Sequence, residues 1–372
     1  MSSDEVTAVA AAITWPDREM AQAARDRWNS LDKPIGSLGR LEDVGTWWAA
    51  TRGQCPPPAP QRPVLVVFAG DHGVAQTART SAYASEVTAH LVRTLAEGRA
   101  AANAVADRVG ARIRLVDLAV DTADDYVDDV DPHITRHRIR RSSGSIDHED
   151  AMTAEETRQA FAAGIEIADA EIDAGADLFV VGDVGIGNTT PAAALIGLYA
   201  PADVTSVVGR GTGIDDATWM RKCSAVRDAM RRGRELKGEP LELLAAIGSP
   251  DFAAMLGFLL QSAARRTPAI LDGVAPTAVA LVAHRVAFRA REWWLAGHLS
   301  PEPGHAAALG RLDLTAVLDM QIRHGEGVGG LLAIPLIGAA ADALREMTPV
   351  PDSDPVQPDD PETGAALRSL ST

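Results

Sequence analysis

Two cysteines, Cys55 and Cys223, are all that 372 residues hold, and they lie far apart in the chain. That excludes a disulfide framework and points to a reducing compartment, so the cytoplasm is the expected location. Neither cysteine stands at metal-ligand spacing. A basic balance is also missing. The formal net charge is −16, whereas a duplex-binding protein needs a basic face to displace phosphate counterions. The nearest basic run, Arg136 to Arg141, reads as a solvated loop. Nucleic acid is therefore not an expected partner. No apolar run reaches about 18 residues unbroken, so no membrane span is expected. Met1 to Ala12 lacks the basic start of a signal peptide. Aromatic residues are scarce at 4%, while hydrophobic residues reach 46% and glycine and alanine abound. Small side chains suit close packing of helices on a sheet, and the length fits one large domain with a smaller appendage.

Residues 1–62 read as a mainly helical N-terminal segment ending in a stiff connector, Pro56-Pro57-Pro58-Ala59-Pro60. Residues 63–348 form the expected α/β domain, and 349–372, rich in Pro and Asp, an expected disordered acidic tail. Within the large domain, Val64–Phe68 is a short continuous apolar run that stops at Ala69-Gly70-Asp71-His72-Gly73, as a buried parallel strand does. Further strands are expected at Ile113–Leu118, Leu178–Val181, Val204–Val208 and Ala269–Leu271. Helical stretches lie between them: Ser85–Val109, Thr153–Ala174, a helix from Pro191, Asp215–Arg234, Asp251–Arg265 and Pro276–Ala290. Thr153 and Glu156 stand at capping-box spacing. This alternation predicts a three-layer α/β/α fold with a parallel, Rossmann-like sheet, plus the smaller helical part.

Ligands of open parallel sheets bind at the carboxyl ends of the strands, and the unusual residues cluster there. Gly182-Asp183-Val184-Gly185-Ile186-Gly187-Asn188-Thr189-Thr190-Pro191 joins a strand to a helix. It reads either as a tight turn with a capping residue or as a cradle for an anion such as phosphate. It lacks the Lys-Ser/Thr of a Walker loop and the spacing of the dinucleotide fingerprint. Gly209-Arg210-Gly211-Thr212-Gly213 is expected to link a strand and a helix in the same way. Lys222, two turns later, is either a solvated surface lysine or a cation reaching back to that phosphate. His324-Gly325-Glu326-Gly327 sets a carboxylate among glycines ahead of the apolar run Leu331–Ile337. Glu326 is either a solvated loop residue or, against an apolar wall, a general base. Gly70-Asp71-His72-Gly73 reads as a structural loop, since neither a nucleophile elbow nor a His-x-x-x-His pair accompanies it.

Taken in order, six stretches resemble nicotinate-nucleotide:dimethylbenzimidazole phosphoribosyltransferases. They are Leu31–Glu42, Phe68–Val74, Gly185–Thr190, Gly209–Gly213, Glu302–His305 and Gly325–Gly327. The resemblance spans roughly residues 31 to 345 and leaves the tail outside. It implies a homodimeric enzyme that moves the phosphoribosyl group of nicotinate mononucleotide onto a benzimidazole, a step in building the lower ligand of cobalamin. By resemblance, Glu326 is the catalytic base. Asp183 is a second carboxylate, at a position where the family usually has Glu. Gly185, Gly187, Asn188, Thr189, Gly211, Lys222 and Ser300 match residues that hold the phosphate and ribose. Ser81, Tyr83 and Glu86 match the base pocket, though Ala84-Ser85 departs from the family's Pro-Gln or Pro-Pro. No metal or other cofactor is expected, because the nucleotide has no pyrophosphate to chelate and no ligand cluster is visible. Two rivals remain: a dinucleotide-dependent oxidoreductase, for which the first strand ends in the wrong loop, and a non-catalytic nucleotide- or base-binding sensor.

Overall fold

The computed structural model describes residues 3–122 and 130–350. The expected acidic tail, apart from Pro349 and Val350, lies outside the described residues. Five parallel strands form one sheet: β1 (Pro63–Gly70), β2 (Arg112–Ala119), β3 (Leu178–Val184), β4 (Ala269–Leu271) and β5 (Trp294–Ala296), in the order β2-β1-β3-β4-β5. The register pairs Phe68 with Val116 on one side and with Asp183 on the other.

Side chains of a strand alternate between faces, and both faces of this sheet are covered. Val64, Val66, Phe68, Phe179 and Val181 belong to one buried cluster. The helices Ala154–Asp173, Thr189–Tyr199, Pro250–Ala264 and Val274–Val286 contribute to it. Leu65, Val67, Ala69, Leu178 and Val180 belong to a second cluster, with the helices Arg40–Arg52, Glu86–Ala96, Ala101–Val109 and Ile334–Glu346. The step from β1 to β2 uses the second face, and the steps running the other way use the first. All crossovers therefore share one hand, as the twist of parallel strands requires. Chain direction across the sheet reverses between β1 and β3, and that switch point leaves a crevice at their carboxyl ends.

The N-terminal segment joins both layers. Val6 and Ile13 pack in the first cluster, whereas Val44 and Trp48 pack in the second. Ala24, Trp28, Leu31, Ala49 and Leu344 form a small third cluster. Val328–Glu346 is long and apolar enough to cross a bilayer, with a mean hydropathy of 1.5. Its Ile334, Ile337, Ala340, Ala341 and Leu344 are instead buried in the fold.

The helix Ala154–Asp173 begins at the expected capping box. Glu156 N donates to Thr153 Oγ1, and Thr153 N donates to a Glu156 carboxylate oxygen. That helix crosses Pro250–Ala264 at glycines: a Cβ on Gly164 would collide with the Ala254 carbonyl, and one on Gly257 with the Phe161 carbonyl. One expected strand is corrected. Val204–Val207 is a single helical turn, with Ser206 Oγ bonded 2.6 Å from the Asp203 carbonyl and Val207 buried. The Gly209 loop thus follows a helical turn rather than a strand.

Candidate active site

Three glycine-bearing loops converge on the crevice. The loop after β3 rides directly on the end of β1, since a Cβ on Gly185 would overlap the Gly70 carbonyl oxygen. Behind it, Asp71 ties the two strand ends together. Its carboxylate accepts from Thr88 Oγ1, from Asp121 N at 2.8 Å and from Ile186 N at 2.9 Å. The expected structural loop at Gly70–Gly73 is therefore held by a buried acid whose carboxyl burial pushes up to about 6 against those donors.

The Gly325–Gly327 loop lies across β3. A Cβ on Gly182 would approach Gly327 N to 2.6 Å, so only glycine admits the loop there. Glu326 itself takes a left-handed backbone, φ 59°, between two glycines of the same sign. Its N–H donates to the Asp183 carbonyl at 3.0 Å. Gly327 N and Gly330 N donate to the Asp272 carboxylate at 3.2 and 2.8 Å. The backbone thus fixes Glu326 from both sides, and the residue is buried.

These loops enclose a cavity of about 660 Å³. Glu326, Asp183, Gly185, Gly187, Asn188, Thr189, Gly211, Lys222, Ser300, Ser81 and Tyr83 all line it. Glu86 does not; it is exposed at the start of its helix. Asp183 is buried, and Asn188 Nδ2 donates to its carboxylate. Burial pushes the Asp183 carboxyl up to about 7, Asn188 opposes, and the nearby Asp272 charge adds to the rise.

Lys222 is the sharpest departure from a surface reading. Its side chain is 1% exposed, and Nζ donates to Thr189 Oγ1 at 2.7 Å and to the Gly209 carbonyl at 3.1 Å. Burial lowers its pKa, and the Glu302 carboxylate partly opposes that. Glu302 is itself engaged, accepting from Gly211 N at 2.9 Å. A buried ammonium with neutral oxygen partners, beside the N-terminus of Thr189–Tyr199, is a ready anion seat. The cavity is thus lined by the buried ammonium of Lys222, with Glu302 near it, and by the carboxylates of Asp183, Asp272 and Glu326. Those charges suit a ligand that carries a phosphate and develops positive charge.

Known proteins resemble the chain over most of its length. A family model described as phosphoribosyltransferase matches residues 13–353. The nicotinate-nucleotide–dimethylbenzimidazole phosphoribosyltransferase of Mycolicibacterium paratuberculosis is 52% identical over 337 residues, covering 91% of this chain and 95% of its own. The chain belongs to this phosphoribosyltransferase family. The like-named protein of Corynebacterium efficiens is 48% identical over 344 residues, covering 92% of this chain and 90% of its own. A crystal structure of the Thermus thermophilus counterpart superposes with a TM-score of 0.82 at 37% identity, covering 90% of this chain and 97% of that one.

Several residues of this family member's site escaped the sequence reading. Asp272 and His298 line the cavity, with His298 Nε2 3.3 Å from Asp272 Oδ1. Asp272 directly follows the strand Ala269–Leu271, so the strand-end rule itself could have flagged it. His305 supports Ser300, its Nδ1 accepting from Ser300 N at 3.0 Å. Asp251 is buried beneath the site at the N-terminus of Pro250–Ala264, with His72 Nε2 3.7 Å away. No sequence spacing links Asp251 to the strand ends. A larger groove of about 910 Å³, lined in part by Val6, Met152, Leu241 and Arg285, carries none of the glycine loops.

Proposed function

We propose that the chain transfers the phosphoribosyl group of nicotinate mononucleotide to 5,6-dimethylbenzimidazole, giving α-ribazole 5′-phosphate and nicotinate in cobalamin lower-ligand assembly. The observation that carries this reading is one cavity lined both by the buried ammonium of Lys222 and by a group of buried carboxylates that includes Glu326. Lys222, Thr189, Asn188 and the backbone at Gly185, Gly187 and Gly211 hold the phosphate and ribose, with Ser300 beside them. Ser81 and Tyr83 border the base, and Glu86 is left out of the assignment.

In this reading nicotinate departs from a cationic ring, leaving positive charge on the anomeric carbon. A benzimidazole nitrogen attacks the opposite face, which inverts β to α in one displacement and requires no enzyme nucleophile. Glu326 accepts the proton from the other ring nitrogen as charge builds there, a contribution of typically 10²–10⁴-fold. Asp183, poised near neutrality, is drawn to its ionised form by the cationic sugar and stabilises it electrostatically. Lys222 and the loops supply orientation. The same reading has the enzyme working as a cytoplasmic homodimer, so sedimentation should give twice the chain mass of 39.1 kDa.

The test is to mix the protein with nicotinate mononucleotide and dimethylbenzimidazole and quantify nicotinate and α-ribazole phosphate by chromatography. Nucleotide binding with no nicotinate release would overturn the transferase reading in favour of a sensor. Competition among dimethylbenzimidazole, benzimidazole, adenine and phenols then assigns the preferred acceptor.

A further inference from the structure

Once Glu326 has taken a proton, that proton must leave before the next cycle, and the carboxylate is almost sealed. Its Oε2 is buried and accepts no hydrogen bond among the described residues. The basic atom at its side is His324 Nε2, 3.3 Å from Oε2. This is ion-pair distance without hydrogen-bond alignment. The two side chains differ in access to water: Glu326 is 4% exposed by side chain, His324 50%. His324 therefore touches both the hidden carboxylate and solvent, and it lines the same cavity. One glycine separates the two residues, and its positive φ of 79° turns the chain so that both side chains meet.

Resting on the transferase reading above, we propose that His324 is a positioning residue that sets the charge state of Glu326 and carries its proton to solvent. With a neutral imidazole the step is balanced as follows. The acceptor's ring N–H bond breaks and the Glu326 Oε2–H bond forms. Oε2–H then breaks as His324 Nε2–H forms; the imidazolium gives its Nδ1 proton to water, and the resulting Nε2–H tautomer returns to the Nδ1–H form by proton exchange with solvent through its exposed half. The carboxylate and the neutral imidazole are regenerated, and one proton has moved from acceptor to bulk. With the imidazole already protonated, Glu326 is held in an ion pair, its basicity is lowered and the outlet is closed.

The surrounding charges bear on this equilibrium. Glu326 faces His324 from the same loop. Asp272 faces it from the end of β4, beside His298. Arg323 precedes His324 in the chain and also lines the cavity, as does Asp183 at the end of β3. Contact with the Glu326 carboxylate raises the imidazole above its usual value, half-burial opposes, and the charges of Glu326 and Asp272 add to the rise. The acid form of His324 is favoured at lower pH, so turnover should climb as pH rises through a point above the ordinary histidine value of about 6.5.

The experiment measures kcat and KM for nicotinate release between pH 5.5 and 9 for the wild type, His324→Gln and His324→Leu. The wild type is expected to show the acidic limb. Both variants should lose or shift it, with kcat about tenfold lower at pH 8, a modest share of a general-base effect. The KM for the nucleotide should stay nearly unchanged, and added imidazole should recover part of the rate for the Leu variant. A wild-type kcat that is flat over this range overturns the relay. So does an unshifted limb with kcat within about twofold in the variants, too small for a proton-transfer role. Absence of nicotinate release in the wild type overturns the transferase reading itself, which separates the two failures.

Discussion

Replacing Glu326 with Gln removes the proposed base while keeping its shape. The loop should survive, because its geometry rests on main-chain groups: Glu326 N to the Asp183 carbonyl, Gly327 N and Gly330 N to Asp272, and the flanking glycines with positive φ. None of these involves the substituted carboxylate. Oε2 accepts no hydrogen bond, so an amide there strands no donor that the carboxylate had satisfied. What disappears is proton acceptance. A general base contributes about 10²–10⁴-fold, which corresponds to about 2.7–5.4 kcal/mol of barrier at 1.36 kcal/mol per decade. Lys222, Thr189 and Asp183 remain, so nucleotide affinity should hold. The assay is single-turnover nicotinate release at saturating substrates and pH 8, paired with calorimetric titration of nicotinate mononucleotide. A loss of less than about tenfold, below the smallest usual general-base contribution, refutes the role given to Glu326. A comparable loss of nucleotide affinity would show instead that the loop had collapsed.

Lys222→Met should weaken nicotinate mononucleotide binding about 10–100-fold, the worth of a hydrogen bond to a charged group; calorimetry giving an unchanged Kd removes Lys222 from the phosphate seat. Burial pushes the Asp251 carboxyl up to about 8, with Ser249 opposing and the Asp183 and Asp71 charges adding to the rise. The folded protein then binds more protons than the unfolded chain from about pH 4 to 8, so this group's stabilising share is full at low pH and is lost as pH rises through about 8. Urea midpoints of the wild type should fall over that window, and Asp251→Asn should flatten the fall; equal slopes refute the assignment. Gly257→Ala should cost about 1–3 kcal/mol or more by overpacking the crossing with Ala154–Asp173, read from the same unfolding curves. An unchanged midpoint would mean that the helices separate freely.

The strands β1, β3 and β4 were legible because fully buried parallel strands are written as short apolar runs, as in Val64–Phe68, whereas β2, with Arg114 and Asp117 in it and an exposed start, showed through its β-branched and leucine residues. β5 was not, since Trp294-Leu295-Ala296 is three residues long and enters straight from a 3₁₀ turn. Val204–Val208 misled because β-branched residues favour strands locally, while burial of Val207 and the Ser206–Asp203 bond favour a helical turn. In the site, glycine-rich loops stood out because each groups several glycines, and two of the three were expected between a strand and a helix. The burial of Lys222 was hidden, because it depends on how the Asp216–Gly233 helix is phased against a loop far from it in sequence. His298 was hidden for a related reason: it looks ordinary until β5 aligns beside β4, whereas Asp272 directly follows an expected strand and was open to the strand-end rule.

The hydrogen bond from Glu326 N to the Asp183 carbonyl leaves the spacing of the two acids in the hands of the main chain. Walls of the chamber such as Tyr83 and Ser81 can then be rebuilt by mutation without resetting that spacing. A lineage could retune which heterocycle it accepts by surface changes alone, with the charge layout that the reaction uses passing through unaltered.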